Sequence, residues 1–313
     1  MHDESGTPAR GRPIPETSAM TPLPLLALLY TASFWGVIWY PLRLLEAHGL
    51  GGVWATAILF AAASLPALLL AWPERAALGR HPGLLLLLLL TSGWMNTAFV
   101  LAVLEGNVMR VMLLFYLSPL WSTLLGWLWL GERPSRSGLV ALALACGGAL
   151  AMLWQPALGL PWPQGEADWL ALSAGLGFSL TNVLLRRLQH LPAGPRLLMS
   201  VLGVVLVAGG WLLLSAAAWP SVTPGVWLGA VLLGGLGIFS AGVAVVYGVS
   251  RMPVHRSAVI LLFELVAAAV SSQWLTQEVI GAAEWLGGGL IVLSAYLSAR
   301  AAAGPEPVQR TER

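Results

Sequence analysis

Apolar runs of about twenty residues follow one another along almost the whole chain. A helix needs about 20 apolar residues to cross the hydrocarbon core of a bilayer. The sequence is 58% hydrophobic and 10% charged, whereas soluble domains are about 45–50% apolar and about 25% charged. Because a helix satisfies its own backbone polar groups in lipid, the sequence predicts an all-α integral membrane protein.

Charges, prolines and turn glycines divide the apolar sequence into ten predicted transmembrane helices in two sets of five. The first set falls within residues 22–155 and the second within residues 165–300. The polar tail 1–21 is predicted to be disordered, and residues 301–313 form a second tail. The spans are expected near residues 23–43, 51–72, 83–104, 108–130, 136–154, 166–186, 196–218, 225–249, 256–277 and 281–300.

The arginines predict how these spans are oriented, because cytoplasmic connectors carry an excess of positive charge. With the N-terminus inside, all arginines except Arg43 and Arg110 fall on the cytoplasmic side. We therefore expect a multi-pass protein of the plasma (inner) membrane with both termini in the cytoplasm. The arginines are scattered between spans instead of forming one patch, so nucleic-acid binding is not expected.

The two sets of spans share charged landmarks. Arg110 and Glu132 bracket the fourth span, and Arg256 and Glu278 bracket the ninth, at a constant offset of 146 residues. An odd number of spans in each set inverts the second set in the membrane. Two inverted five-helix repeats are an architecture suited to alternating access, so the pattern favours a transporter.

Four short motifs are Phe34-Trp35-Gly36, Leu117-Ser118-Pro119-Leu120, Leu130-Gly131-Glu132-Arg133 and Phe263-Glu264-Leu265-Val266. Together they resemble the EamA repeats of the drug/metabolite transporter superfamily, over roughly residues 23–300. The second half departs from the pattern: Leu265 stands where the repeat often has a proline. The resemblance implies a secondary carrier, often an exporter of amino acids or other metabolites, with a central cavity between the repeats.

Glu264 is the most informative side chain because it lies near the middle of the ninth predicted span. An ionisable group at that depth costs about 2.5–3.5 kcal/mol, so it should face a cavity or a partner. We expect Glu264 to bind substrate or to couple transport to protons. The alternative is a neutral carboxyl that bonds a neighbouring helix and fixes packing.

Aromatic and polar residues within other spans complete the candidate substrate-binding or coupling set. Interface anchoring by the aromatic rings, snorkelling by the arginine and interhelical bonding by the amides are the alternatives. The cavity is expected to be lined mainly by the first, third, fourth, sixth, eighth and ninth spans. The candidates are Trp35, Trp39, Tyr40, Trp94, Asn96, Arg110, Tyr116, Asn182 and Tyr247.

The competing functions are a membrane-embedded enzyme and an assembly partner without turnover. The sequence has neither a His-Glu-x-x-His zinc motif nor a nucleotide-binding Gly-rich loop with Lys-Ser/Thr. The five histidines are expected in the tail or connectors, and Cys146 is the single cysteine. We predict no catalytic residue, metal or cofactor. The expected partners are a small-molecule substrate and the lipid bilayer.

Overall fold

The computed structural model describes residues 22–154, 163–275 and 281–303, and the regular structure in these ranges is helical. A 3₁₀-helix, Trp72–Gly79, extends α2, and a π-helix, Leu233–Ile238, joins α9 to α10. The predicted tail 1–21 and the landmark Glu278 lie outside the described residues. The α-helices are α1 (Leu23–Ala47), α2 (Gly52–Ala71), α3 (Pro82–Glu105), α4 (Val108–Phe115), α5 (Ser118–Leu130), α6 (Arg136–Leu153), α7 (Glu166–Arg187), α8 (Ala193–Leu214), α9 (Pro224–Leu232), α10 (Phe239–Val249), α11 (Val254–Leu261), α12 (Phe263–Leu275) and α13 (Ala282–Ala303).

These helices form the ten predicted spans. Among the described residues, nine segments are long and apolar enough to cross a membrane, and α13 adds the shorter apolar stretch Ala282–Ser298. The fourth span is α4 with α5, the eighth runs from α9 to α10, and the ninth is α11 with α12. Large apolar side chains cover the outside, for example Leu213, Leu214 and Trp274, each more than four-fifths exposed. The fold is that of a multi-pass membrane protein, with lipid as the solvent of this outer face.

Some predicted boundaries are wrong. The seventh span begins at Ala193 instead of 196. The ninth begins at Val254, which makes His255 a buried helical residue and not part of a connector. Glu132 explains the early start, since its Oε2 accepts a hydrogen bond of 2.7 Å from the Val254 backbone N–H and so satisfies one of the free donors of the helix N-terminus.

The fourth and ninth spans are both broken in the middle. In the fourth, α5 begins with Ser118-Pro119, and proline cannot donate a helical hydrogen bond. In the ninth, α12 follows α11 after one residue without a proline. At both breaks a backbone N–H donates to the carbonyl three residues earlier, as in a 3₁₀ turn. Leu120 donates to Leu117 at 3.0 Å, and Leu265 donates to Leu262 at 3.1 Å.

Packing between the spans repeats when the two halves are exchanged. The first span packs on the eighth and ninth, as the sixth packs on the third and fourth. The second span packs on the eighth, as the seventh packs on the third. The contacts second–seventh, fourth–ninth and fifth–tenth each join two equivalent spans, so exchanging the halves leaves them unchanged. Glycines allow the closest approaches: a Cβ atom on Gly203 of α8 would lie 2.0 Å from the Leu89 carbonyl oxygen of α3.

Candidate functional site

A central cavity of about 180 Å³ lies between the two halves. All six spans expected in its wall contribute to it. The second and seventh spans contribute as well, through Phe60 and through Leu197, Ser200 and Val201. Residues of eight spans therefore line the cavity, while the fifth and tenth spans contribute none of the described lining residues and pack on each other.

Glu264 lies in the cavity wall because the break in the ninth span puts it in the first turn of α12. Its hydrogen-bonding neighbour is the phenol of Tyr116, a buried residue at the equivalent break in the fourth span. The Glu264 backbone is held by α1, since a Cβ atom on Gly36 would lie 2.5 Å from the Glu264 carbonyl oxygen. This close contact fixes where the carboxyl group enters the cavity.

Aromatic rings form much of the remaining wall. Phe115, the last residue of α4, is at their centre, with its ring centroid 4.8 Å from Phe99 and 5.6 Å from Phe178. Trp35 of α1 lines the same cavity. Such a wall suits the apolar body of a small ligand, which is what most ligand pockets present.

Neutral polar side chains are interspersed between the rings. Asn96 donates from Nδ2 to the Ser92 carbonyl at 3.0 Å, and Asn182 donates from Nδ2 to the Phe178 carbonyl at 2.9 Å. Each amide is thus tied to the preceding turn of its own helix. The two amides lie on α3 and α7, which pack against each other, so the polar groups come from both halves.

Four of the ten predicted site residues line the cavity, namely Trp35, Asn96, Asn182 and Glu264. Tyr116 is adjacent through its contact with Glu264. Ser200, Phe99, Phe115 and Phe178 were not predicted. No local signal singles out these phenylalanines among so many apolar residues, but Ser200, a hydroxyl within an apolar span, could have been noticed.

The other aromatic candidates lie elsewhere. Trp39 donates from Nε1 to the Ser271 hydroxyl at 2.9 Å and so joins α1 to α12, with the Tyr40 ring edge-on against it. Trp94 is 42% exposed and donates to the Ser173 hydroxyl at 3.2 Å. The Arg251 guanidinium lies over the Tyr247 ring, with the Arg251 Cζ atom 3.7 Å from the ring centroid. These residues contact the protein or its surroundings and not the cavity.

Arg110 forms a buried ion pair with Asp168. Its Nε donates to Asp168 Oδ2 at 2.7 Å, and both side chains are less than a tenth exposed. The same carboxylate oxygen accepts the backbone N–H of Gln164 at 2.8 Å. The pair fastens the start of α4 to the start of α7. Asp168 was not predicted, because its partner lies 58 residues away in the sequence.

A polar network lies next to one end of the cavity. Arg186 donates to Glu132 Oε1 at 2.9 Å and to the Ser250 carbonyl at 2.7 Å. Arg196 donates to the Leu185 carbonyl at 3.1 Å and to the Ser250 hydroxyl. We call Glu132, Arg186, Arg196 and Ser250 the arginine network. It joins the ends of the fourth, sixth and eighth spans to the start of the seventh, below cavity residues Leu185 and Leu197.

Comparison with known families matches the chain twice. The model of the EamA-like transporter family covers residues 22–154 and again residues 166–300. The chain belongs to the EamA-like transporter family. The chain is therefore a membrane protein of a transporter family, as the sequence motifs predicted.

Two curated relatives carry transporter names. The uncharacterized transporter YojE of Bacillus subtilis is 28% identical over 193 residues, which are 59% of this chain and 60% of that protein. The uncharacterized transporter PA0485 of Pseudomonas aeruginosa is 32% identical over 129 residues, or 41% of this chain and 40% of that protein. The matched stretches thus span less than two thirds of either relative.

A solved crystal structure has the same fold as this chain. It superposes with a TM-score of 0.70 at 19% sequence identity and covers 89% of this chain and 97% of its own. An identity this low establishes the architecture of the helical bundle alone.

Proposed function

We propose that this protein is a secondary transporter that exports amino acids or other small metabolites by alternating access. The observation that carries the proposal is the central cavity, which is lined by spans of both halves, with the ionisable Glu264 in its wall. An ionisable side chain within a membrane bundle is costly and typically serves a transport pathway. Trp35, Asn96, Asn182 and Glu264 are the proposed substrate contacts.

The proposed mechanism requires two inverted repeats, residues 22–155 and 165–300. We place the protein in the plasma (inner) membrane with both termini in the cytoplasm. Support comes from the packing, since the same pairs of spans meet when the two halves are exchanged. A two-fold relation of this kind allows the cavity to open at either end by the same movement of helices.

The arginine network would then act as the cytoplasmic gate. It connects spans of both halves below the cavity, so one half cannot move away from the other there without breaking the Glu132–Arg186 pair. The side chains of that pair are 20% and 16% exposed, and a partly exposed pair is weak enough to break and reform.

Protons are the proposed coupling ion, with Glu264 as the group that carries them. A carboxyl in the cavity can be charged while it binds substrate and protonated when the site is empty. The alternative role for Glu264 is to fix helix packing through Tyr116. The two roles differ in their consequence: a packing role affects the stability of the protein, and a coupling role affects the pH response of the flux.

A membrane-embedded enzyme is the second candidate function. Within residues 22–154, 163–275 and 281–303, no three His, Cys, Asp or Glu side chains are grouped as a metal site would require. His255 is buried, but its ring contacts the region of Gly138 outside the cavity. No observation on the described residues favours this function over transport, and none favours an assembly partner without turnover.

Transport can be tested with the purified full-length chain in liposomes. We expect saturable flux of at least one compound from a labelled panel of amino acids, amines and organic acids, and a change in that flux under an imposed pH gradient. Liposomes that contain Glu264→Gln provide the comparison for the pH response. Absence of flux for every compound would contradict the transporter proposal and favour the assembly partner.

A further inference from the structure

The charges around the central cavity are one-sided. Glu264 is the one charged side chain among the described residues of the wall. The buried arginines Arg110 and Arg196 are outside the wall, and their guanidinium groups are engaged by Asp168 and by Leu185 and Ser250. A ligand in the cavity therefore meets a carboxyl group and no cationic partner.

Four of the neutral polar groups of the wall use a hydrogen-bond donor within the protein, and each of the two amides keeps one further N–H. Besides the two amides, Thr31 donates its hydroxyl to the Ala241 carbonyl at 3.1 Å, and Thr181 donates to the Thr91 hydroxyl at 3.1 Å. The capacity that remains on these hydroxyls is their oxygen lone pairs, and the amide carbonyl oxygens are likewise acceptors. The wall is therefore richer in acceptors than in donors.

Ser200 gives an independent indication that the cavity binds a polar group. Its hydroxyl is buried in the wall and has no hydrogen-bond partner within the part of the chain that the structure describes. Buried hydroxyls nearly always have a partner, because leaving one unsatisfied is costly. An N–H group of a ligand would satisfy the free lone pairs of Ser200 Oγ.

The aromatic residues suit the same kind of ligand. Trp35, Phe99, Phe115 and Phe178 present rings around the space that Glu264 enters. A cation is attracted to the face of an aromatic ring, and the attraction increases when water is excluded. The rings also cover an apolar ligand body.

We propose that the cavity binds an organic ammonium ion: a monocation with an apolar or aromatic body and no carboxylate. The ammonium group would pair with Glu264 and donate to the acceptor-rich wall. A zwitterionic amino acid would bring a carboxylate beside Glu264 without a cation to balance it, which is a strong penalty in a desolvated site. The proposal rests on the proposed transport function and narrows its substrates to the amines among small metabolites.

The test uses compounds that share a phenylethyl or related body and differ in charge. Phenethyltrimethylammonium and 2-phenylethylamine are cations, phenylalanine is a zwitterion and 3-phenylpropionate is an anion. Binding to the detergent-solubilised full chain is measured by calorimetry. At least one cation is expected to bind about tenfold or more tightly than phenylalanine or 3-phenylpropionate, the ratio that one lost charge pair supports. Equal or tighter binding of the zwitterion or the anion overturns the proposal, and so does undetectable binding of both cations.

Variants of the carboxyl group identify the binding partner. Glu264→Gln keeps the size of the side chain and is expected to lower the affinity for the cation at least about tenfold. Glu264→Asp keeps the charge and is expected to retain more affinity than Glu264→Gln. Glu105→Gln, at an exposed carboxyl at the end of α3, serves as the matched control with unchanged affinity. Unchanged affinity in a folded Glu264→Gln protein overturns the proposal; thermal unfolding of each variant checks folding.

Flux measurements separate this proposal from the proposed function. Phenethyltrimethylammonium is permanently charged and does not leak through lipid, so its uptake into liposomes reports the protein. Flux of phenylalanine together with weaker binding of both cations would keep the transporter and overturn the ammonium site. Tight binding that depends on Glu264 without flux of any compound would keep the ammonium site and contradict transport.

Discussion

The two breaks at the centre of the bundle have similar backbones and different chemistry. In the fourth span the break is followed by Ser118-Pro119, and the buried Ser118 carbonyl accepts the Ser179 hydroxyl of α7 at 2.8 Å. At the offset of 146 residues, the ninth span has Glu264-Leu265, and Glu264 faces the cavity. One half uses this position to fasten helices, and the other uses it to present a charge. A repeated backbone thus supports a site that is not itself symmetric.

The largest expected difference is between two variants, each of which removes the side chain at one of these matched positions. Glu264→Ala should lower the initial flux of the transported substrate about 100-fold, because loss of one partner of a buried charge pair costs about 2–5 kcal/mol. Ser118→Ala should stay within about threefold of wild type, since the bond to Ser179 uses the Ser118 backbone carbonyl and not its hydroxyl. Flux into liposomes at equal protein content measures both. Equal losses would mean that the two breaks contribute alike.

The next prediction concerns the glycines that let a neighbouring helix reach each break. A Cβ atom would lie 2.5 Å from the Glu264 carbonyl oxygen at Gly36 and 2.7 Å from the Phe115 carbonyl oxygen at Gly175. Backbone atoms cannot move aside as a side chain can, so Gly36→Val and Gly175→Val should each lower the free energy of unfolding by about 1–3 kcal/mol. Thermal unfolding in detergent measures the change.

Gly147→Val is the control for these variants, because a Cβ atom there meets nothing within 4 Å. It should be near neutral, within about 0.5 kcal/mol, as an exposed substitution usually is. Destabilisation by one of the two valines and not by the other would show that only one break depends on close helix packing.

The smallest expected effect is at the arginine network. Glu132→Gln removes the charge that holds Arg186 and weakens the cap on Val254. For a pair that is partly exposed, about 0.5–1 kcal/mol is a reasonable loss, equivalent to a shift of about two- to fivefold toward the opened state. Opening is measured by alkylation of a cysteine introduced in the cavity wall, Leu197→Cys, in a Cys146→Ser background. This cysteine should be alkylated about two to five times faster in the Glu132→Gln protein. An unchanged rate, with Glu105→Gln as control, would exclude a gating role for Glu132.

Some features of this molecule are readable from the sequence because they depend on short stretches of chain. The spans follow from twenty-residue hydropathy, and Glu264 stands out as a carboxyl in an apolar run. The side chains that face the cavity do not follow, since a helix such as α3 has no amphipathic stripe that would orient it. The motif Phe34-Trp35-Gly36 marked a segment of the cavity wall, but the close approach of Gly36 to the Glu264 carbonyl joins residues more than 200 positions apart.

The buried ion pair shows the same limit. Arg110 could be seen in the sequence at the edge of its span, and both a substrate clamp and a snorkelling side chain were reasonable interpretations. The pair with Asp168 exists only because the starts of α4 and α7 come together in the bundle. The ion pair is a third role, which tertiary packing creates and the local sequence does not show.

The contact between the fifth and tenth spans has a consequence for how the halves recognise each other. Gly148 and Gly287 meet reciprocally: a Cβ atom on either would lie 2.6 Å or 2.5 Å from the carbonyl oxygen of the other. Reciprocity of this kind is what an isologous dimer interface shows between separate subunits. The covalent connection would then supply mainly effective concentration, and a chain cut between residues 154 and 163 would keep the surfaces through which two separate halves could assemble.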